Sequence, residues 1–159
     1  MLNLLRKLIG RRDPLAEAGR RTSGAEFARA VEAADVFVIA AMQSEGLDPN
    51  TLTQEQLLAE IERVAQDLSD RQGGFEVFIY ERDGASCIPF FSSQDYCQTF
   101  CCEYMKRANR VFPFQILGVK GRTIATCSRG VNRLVLNDWS PNERLLSDEE
   151  MRFLRESWA

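Results

Sequence analysis

Three of the chain's five cysteines fall within six residues, in the stretch YCQTFCCEY from Tyr96 to Tyr104. Clustered thiols can bind a metal, cycle between redox states, act as nucleophiles or fill a core, and spacing separates these uses. No Gly or Pro interrupts the dozen residues after Ser92, and Ser92 and Asp95 have N-capping spacing, so a helix is expected here. On it Tyr96, Cys97, Phe100, Cys101 and Tyr104 share one face. Cys97 and Cys101, four residues apart, have Cβ atoms about 5–6 Å from each other, beyond the roughly 3.5–4.5 Å that a disulfide needs. Cys101 and Cys102 diverge around the helix and do not chelate together easily. A metal site would have to add distant Cys87 and Cys127. The close C-x-x-C spacing is missing and no histidine completes a mixed zinc set, so no metal and no cofactor are expected. A reactive thiol needs a nearby cation or helix N-terminus; Asp95, in the same turn as Cys97, opposes ionisation. The cysteines therefore read first as small buried hydrophobes. The alternative is a thiol enzyme or redox sensor using Cys97, Cys101 or Cys102.

The chain has no histidine at all, which removes the commonest general base and the usual partner of nucleophilic Ser or Cys. Residues 1–22 carry Arg6, Lys7, Arg11, Arg12, Arg20 and Arg21 against Asp13 and Glu17, or +4; with −3 for the whole chain, the remainder is −7. An acidic body without a basic stripe is a poor nucleic-acid binder. Leu2, Leu5, Leu8 and Ile9 recur at helical spacing with Arg6 and Lys7 between them. Residues 1–12 thus read as a short amphipathic helix, frayed or docked, with peripheral membrane contact as the alternative. The pattern is not that of a secretion signal or a membrane span. A cytoplasmic location with reduced cysteines is expected.

The elements that position these residues fit one domain of 159 residues, 45% hydrophobic and 27% charged. The basic, breaker-rich residues 1–22 read as a helix or linker, and 23–159 as the globular domain. Ser23 and Glu26 have capping-box spacing before a helix presenting Phe27, Ala30, Val31 and Ala34. Asp35 to Met42 is a β-branched and aromatic run suited to a strand covered on both faces. Thr53 and Gln56 open an amphipathic helix bearing Leu57, Leu58, Ile61, Val64, Ala65 and Leu68, which Gly73 and Gly74 end. Residues 75–91 read as a hairpin turning at Asp83-Gly84, with Pro89 confining the second strand to an edge or shortening it. Residues 122–129 are either a short helix or part of a hairpin turned at Lys120-Gly121. Gly130, placed for a left-handed cap, favours the helix. Leu134 to Leu136 gives the next strand, and Ser147 with Glu150 caps a terminal helix holding Met151, Phe153, Leu154 and Trp158. The expected class is α+β, a mixed sheet of about five strands flanked by helices.

The order of motifs resembles the N-terminal domain of the SseB family, named for enhanced serine sensitivity. The likeness covers roughly residues 24–157. It rests on EFARAVEAADVFVIA, on the Pro89-Phe90-Phe91-Ser92-Ser93 turn opening the central helix, and on Gly121-Arg122 before a strand ending Leu136-Asn137. Asp138 departs from the family's usual Pro, and the C-terminal domain of longer members is absent. The resemblance implies a mixed sheet flanked by helices, no established enzymatic activity, and bacterial proteins sometimes encoded near secretion-related or toxin-related systems. The expected function is therefore a non-catalytic adaptor or binding domain that contacts another protein, such as a basic toxin held in an immunity-like complex or a secretion component. Its candidate partner surface is Phe91, Ser92 and Ser93 with Asn137, Asp138, Trp139 and Pro141. Trp139 is either a partner anchor or a lid on the core. The 91–93 turn is either a helix cap or a helix start able to receive an acidic group.

Overall fold

The computed structural model describes residues 13–40, 48, 50–70, 76–112 and 114–157. The proposed amphipathic helix of residues 1–12, the Gly73-Gly74 stop and Trp158 lie outside the described residues. Helices α1 (Pro14–Arg21) and α2 (Gly24–Ala33) precede β1 (Asp35–Ala40) and α3 (Gln54–Asp70). The hairpin β2 (Tyr80–Arg82) and β3 (Ala85–Phe91) leads into α4 (Gln94–Ala108), β4 (Gln115–Lys120) and α5 (Gly121–Cys127). The chain continues through β5 (Arg133–Leu136), β6 (Arg144–Leu145) and α6 (Asp148–Glu156).

The expected α+β class holds. One mixed sheet runs β4-β1-β3-β5-β6, with β2 also paired to β3; the β3–β5 contact is parallel and the other pairs are antiparallel. Period-two alternation divides the side chains between two cores. Val36, Val38, Ile88, Phe90, Leu134 and Leu136 face the layer that holds α2, α5 and α6. Ile39, Cys87, Phe91 and Val135 face α4 with Cys97, Phe100 and Cys101. Strands covered on both faces explain the unbroken apolar runs of β1 and β3.

Pro89 is not at an edge. It is buried in central β3, opposite Val135 of β5. On the other side of β3, β2 pairs only with Ala85, Ser86 and Cys87, and β1 only with Phe90 and Phe91. The proline sits in the gap between two strands laid end to end, where no ladder requires its missing N–H.

Residues 121–127 are helical, not a hairpin arm. Gly121 opens α5, and a Cβ there would lie 1.7 Å from the Val31 carbonyl oxygen of α2, so only glycine allows this approach. Gly130 adopts φ +80 after the helix, and Val131 folds back into the core.

Two capping boxes form as read. Thr53 N donates to Gln56 Oε1 at 3.0 Å and Gln56 N to Thr53 Oγ1 at 3.2 Å; Ser147 and Glu150 do the same at α6. Ser23 does not cap α2 with its side chain. Instead Gly24 N donates to Glu150 Oε1 from α6, at 2.9 Å. Glu150, 1% exposed, also accepts from Arg144 Nη2 at 2.7 Å and thereby ties two helices and β6 together. In α3, Leu58 is 53% exposed and Leu57 half-buried, while the side chains of Ile61, Val64, Ala65 and Leu68 lie outside the described set. Packed structure reaches further toward the N-terminus than Ser23, because Leu15 and Ala16 of α1 are buried.

Candidate functional site

The cysteine helix delivers a core. Cys97 is 0% and Cys101 5% exposed, both against the sheet, whereas Cys102 is exposed. The hydrogen bond with Cys101, then burial, pushes the Cys97 thiol far up. Burial raises Cys87 and Cys127 likewise. Thiolate formation is thus disfavoured at three of the five cysteines. No group of three or more Cys, Asp or Glu among the described residues is placed to share a cation.

The Ser92-Ser93 turn is engaged within the chain. The cap of α4 is Ser93, one residue later than the Ser92 spacing suggested: Tyr96 N donates to Ser93 Oγ at 3.3 Å. Ser92 N donates to Asn137 Oδ1 at 2.9 Å, and Ser92 Oγ accepts from Asn137 Nδ2 at 2.9 Å. Ser92 Oγ in turn donates to Asp13 Oδ2, while Asp13 Oδ1 accepts from Ala16 N at 2.9 Å and so caps α1. Of the two readings of this turn, the helix cap is present at Ser93, and the Ser92 hydroxyl is taken up by Asp13 of the same chain.

Seven of the candidate residues therefore divide. Phe91 lies in the core, and Asn137 and Asp138 are buried at 0% and 2% exposure, so these three present no side chain to a partner. Ser92, Ser93 and Trp139 are partly exposed, and Pro141 is exposed at the tip of the 137–143 loop.

The 137–143 loop combines unusual backbone with a dense set of hydrogen bonds. Asn137 continues the sheet, donating from its N to Phe90 O at 2.8 Å, yet it turns into left-handed backbone at φ +50; Trp139 follows at φ +59. A bulky residue in this region is a true outlier and costs about 1–3 kcal/mol. A network beneath the loop holds it. Tyr80 Oη donates to Asp138 Oδ2, and Arg82 Nη1 donates to Asp138 Oδ1 at 2.6 Å. Arg82 Nη2 bonds Glu143 Oε1 at 2.9 Å, and Trp139 N donates to Glu143 Oε2 at 2.8 Å. Asn142 fastens the far end, donating to Tyr96 Oη at 2.6 Å and accepting from Arg20 Nη1 at 2.7 Å.

Burial raises the Asp138 carboxyl to about 6; Tyr80 and Arg82 oppose this, and the neighbouring Glu143 adds to it. Glu143 is held below its ordinary value despite burial, through Arg82 and the Trp139 amide. The same burial, with the Asp138 carboxyl, pushes the Tyr80 hydroxyl far up.

The Trp139 ring closes the second core as a lid. Its centroid is 4.7 Å from Phe100, 5.8 Å from Tyr80 and 6.2 Å from Tyr104. Arg107 of α4 places its Cζ 4.1 Å from the ring centroid. The loop also walls a cleft of about 160 Å³ lined by Gly19, Arg20, Leu136, Pro141 and Arg144. Sequence reasoning missed Tyr80, Arg82, Arg107 and Glu143. Each sits more than ten residues from Trp139 except Glu143, whose spacing alone carried a signal. Comparison with protein-family models, with curated proteins and with solved structures finds no match for this chain.

Proposed function

We propose that this chain is a non-catalytic protein-binding domain whose contact surface is the 137–143 loop with the adjoining end of α4. The carrying observation is Trp139. A partly exposed indole is held in left-handed backbone by a charged network anchored on buried Asp138, so folding energy is spent on fixing the shape of a partly exposed loop. Rigid presentation of an aromatic residue beside an Arg is a composition that binding surfaces favour, because little entropy remains to be lost. The accessible contributors are Trp139, Pro141, Ser92, Ser93 and Arg107.

The SseB likeness, carried by the order of motifs alone, suggests a bacterial cytoplasmic adaptor, immunity-like or secretion-associated. A net charge of −7 beyond residue 22 suits a basic partner such as a toxin. No helix among the described residues is long and apolar enough to cross a membrane. The test is capture from a lysate of the native organism, comparing wild type with Pro141→Arg, an exposed change that leaves the core intact. A stoichiometric partner lost with the variant supports the reading; equal recovery by both, or no stoichiometric partner, removes it.

A further inference from the structure

We propose that Asp138 and Glu143 form a proton-operated clamp on the Trp139 loop: a proton shared between the two carboxyl groups keeps the loop closed, and its release to solvent loosens it. The Asp138 side chain is fully buried, and the two groups lie within hydrogen-bonding reach of each other. Both also bind the same guanidinium, Arg82, whose single positive charge they share with the more distant, exposed Asp83. With one proton shared, Asp138, Glu143 and Arg82 together are neutral. Without it a net negative charge is left on a pair in which the Asp138 side chain is 0% and the Glu143 side chain 30% exposed, and like carboxylates at this range do not both ionise freely.

The mechanical link is direct. Glu143 accepts from the Trp139 amide, so any retreat of Glu143 from Asp138 breaks the bond that holds Trp139 in left-handed backbone. The described titratable and charged groups around the cluster include Asp83, whose Oδ2 lies 3.9 Å from Arg82 Nε. Tyr80 and Arg82 come from β2, Cys87 from β3 with Arg133 of β5 beside it, and Arg107 lies on the outer face of the indole. Tyr80 and Cys87 are pushed up and keep their protons near neutrality. The chain has no histidine to titrate instead. The raised Asp138 carboxyl, at about 6, puts the change in the range where cellular pH varies.

The clamp would regulate the surface proposed above and rests on that reading for its use. The clamp itself is read on the isolated protein, so either can fail without the other. In a Trp158→Phe background Trp139 is the only tryptophan. Its emission and its acrylamide quenching, followed from about pH 5 to about pH 8, should show one transition with a midpoint near 6, quenching more at the alkaline end, while far-UV circular dichroism stays constant. Asp138→Asn should abolish the transition. Glu143→Gln, which leaves Asp138 in place without its carboxylate neighbour, should move the midpoint toward acid. A flat profile in the parent, or a midpoint unchanged in either variant, overturns the clamp. If Asp138→Asn fails to fold, Glu143→Gln decides alone.

Discussion

Replacing Glu150 with Ala should be among the most destabilising single changes in this fold, beyond the loss of the Ser147–Glu150 cap that the sequence announces. Three losses combine. Its Oε2 accepts from Ser147 N at 2.9 Å, half of the α6 capping box, worth about 1 kcal/mol. Its Oε1 accepts from Gly24 N at 2.9 Å, where Ser23 provides no side-chain cap, worth about another 1 kcal/mol. The same oxygen pairs with Arg144 Nη2 at 2.7 Å, and the Glu150 side chain is 2% exposed against 20% for Arg144. Breaking a buried pair from one side costs about 3–5 kcal/mol. Because Arg144 keeps some water, Thr22 O and the Phe27 ring, roughly half of that is expected. The total is about 4 kcal/mol, a large share of the roughly 5–15 kcal/mol that holds a small domain. Urea unfolding followed by circular dichroism measures it, and Glu150→Gln, which retains one acceptor oxygen, should lose only about half as much. A Glu150→Ala protein within about 1 kcal/mol of wild type would refute the idea that one carboxylate caps two helices.

Gly121→Ala should cost about 3 kcal/mol in the same assay, because a Cβ 1.7 Å from the Val31 carbonyl oxygen must push α5 off α2; an unchanged midpoint contradicts that packing. In thiol labelling of the native protein, Cys102 should react fast and Cys127 slowly, with Cys87, Cys97 and Cys101 reacting only on unfolding; rapid labelling of Cys97 would revive thiol chemistry. Stability should also depend on pH. The folded carboxyl of Asp138, raised from 3.8 to about 6, keeps a proton that the unfolded chain has released, so its contribution is present at acid pH and lost as pH rises toward 6. Glu143, held low, acts in the opposite sense, and its contribution is lost as pH falls through the ordinary glutamate range. Above that range only Asp138 remains, and the unfolding free energy should decline by about 2 kcal/mol up to pH about 6. Asp138→Asn should remove the decline, and a rise in wild-type stability across this window would contradict the assignment.

Local signals were readable where both partners lie close in sequence. Thr53 with Gln56 and Ser147 with Glu150 form the reciprocal caps that their spacing announces, and the apolar runs of β1 and β3 become the buried strands they resemble. Signals failed where the partner is remote. Ser23 looked like a cap, but Gly24 is capped by a carboxylate 126 residues away. Pro89 looked like an edge residue because no sequence rule foresees two strands abutting along one side of β3. Asn137 and Asp138 were candidate contact residues beside Trp139, and both are buried. Asp138 is buried because Tyr80 and Arg82, 58 and 56 residues upstream, satisfy it. Asn137 is buried because Ser92, 45 residues upstream, does the same. Trp139 was open between lid and anchor. Its ring contacts make it a lid, and its backbone conformation leaves it part of an exposed, fixed loop.

The most direct measurement of the binding proposal is quantitative capture from native lysate by wild type and by Pro141→Arg, with both proteins shown to unfold at the same urea concentration. A partner recovered in equimolar amount by wild type and lost with Pro141→Arg is the expected result. Equal recovery by both proteins, or no equimolar partner for either, would contradict a binding role for the Trp139 loop.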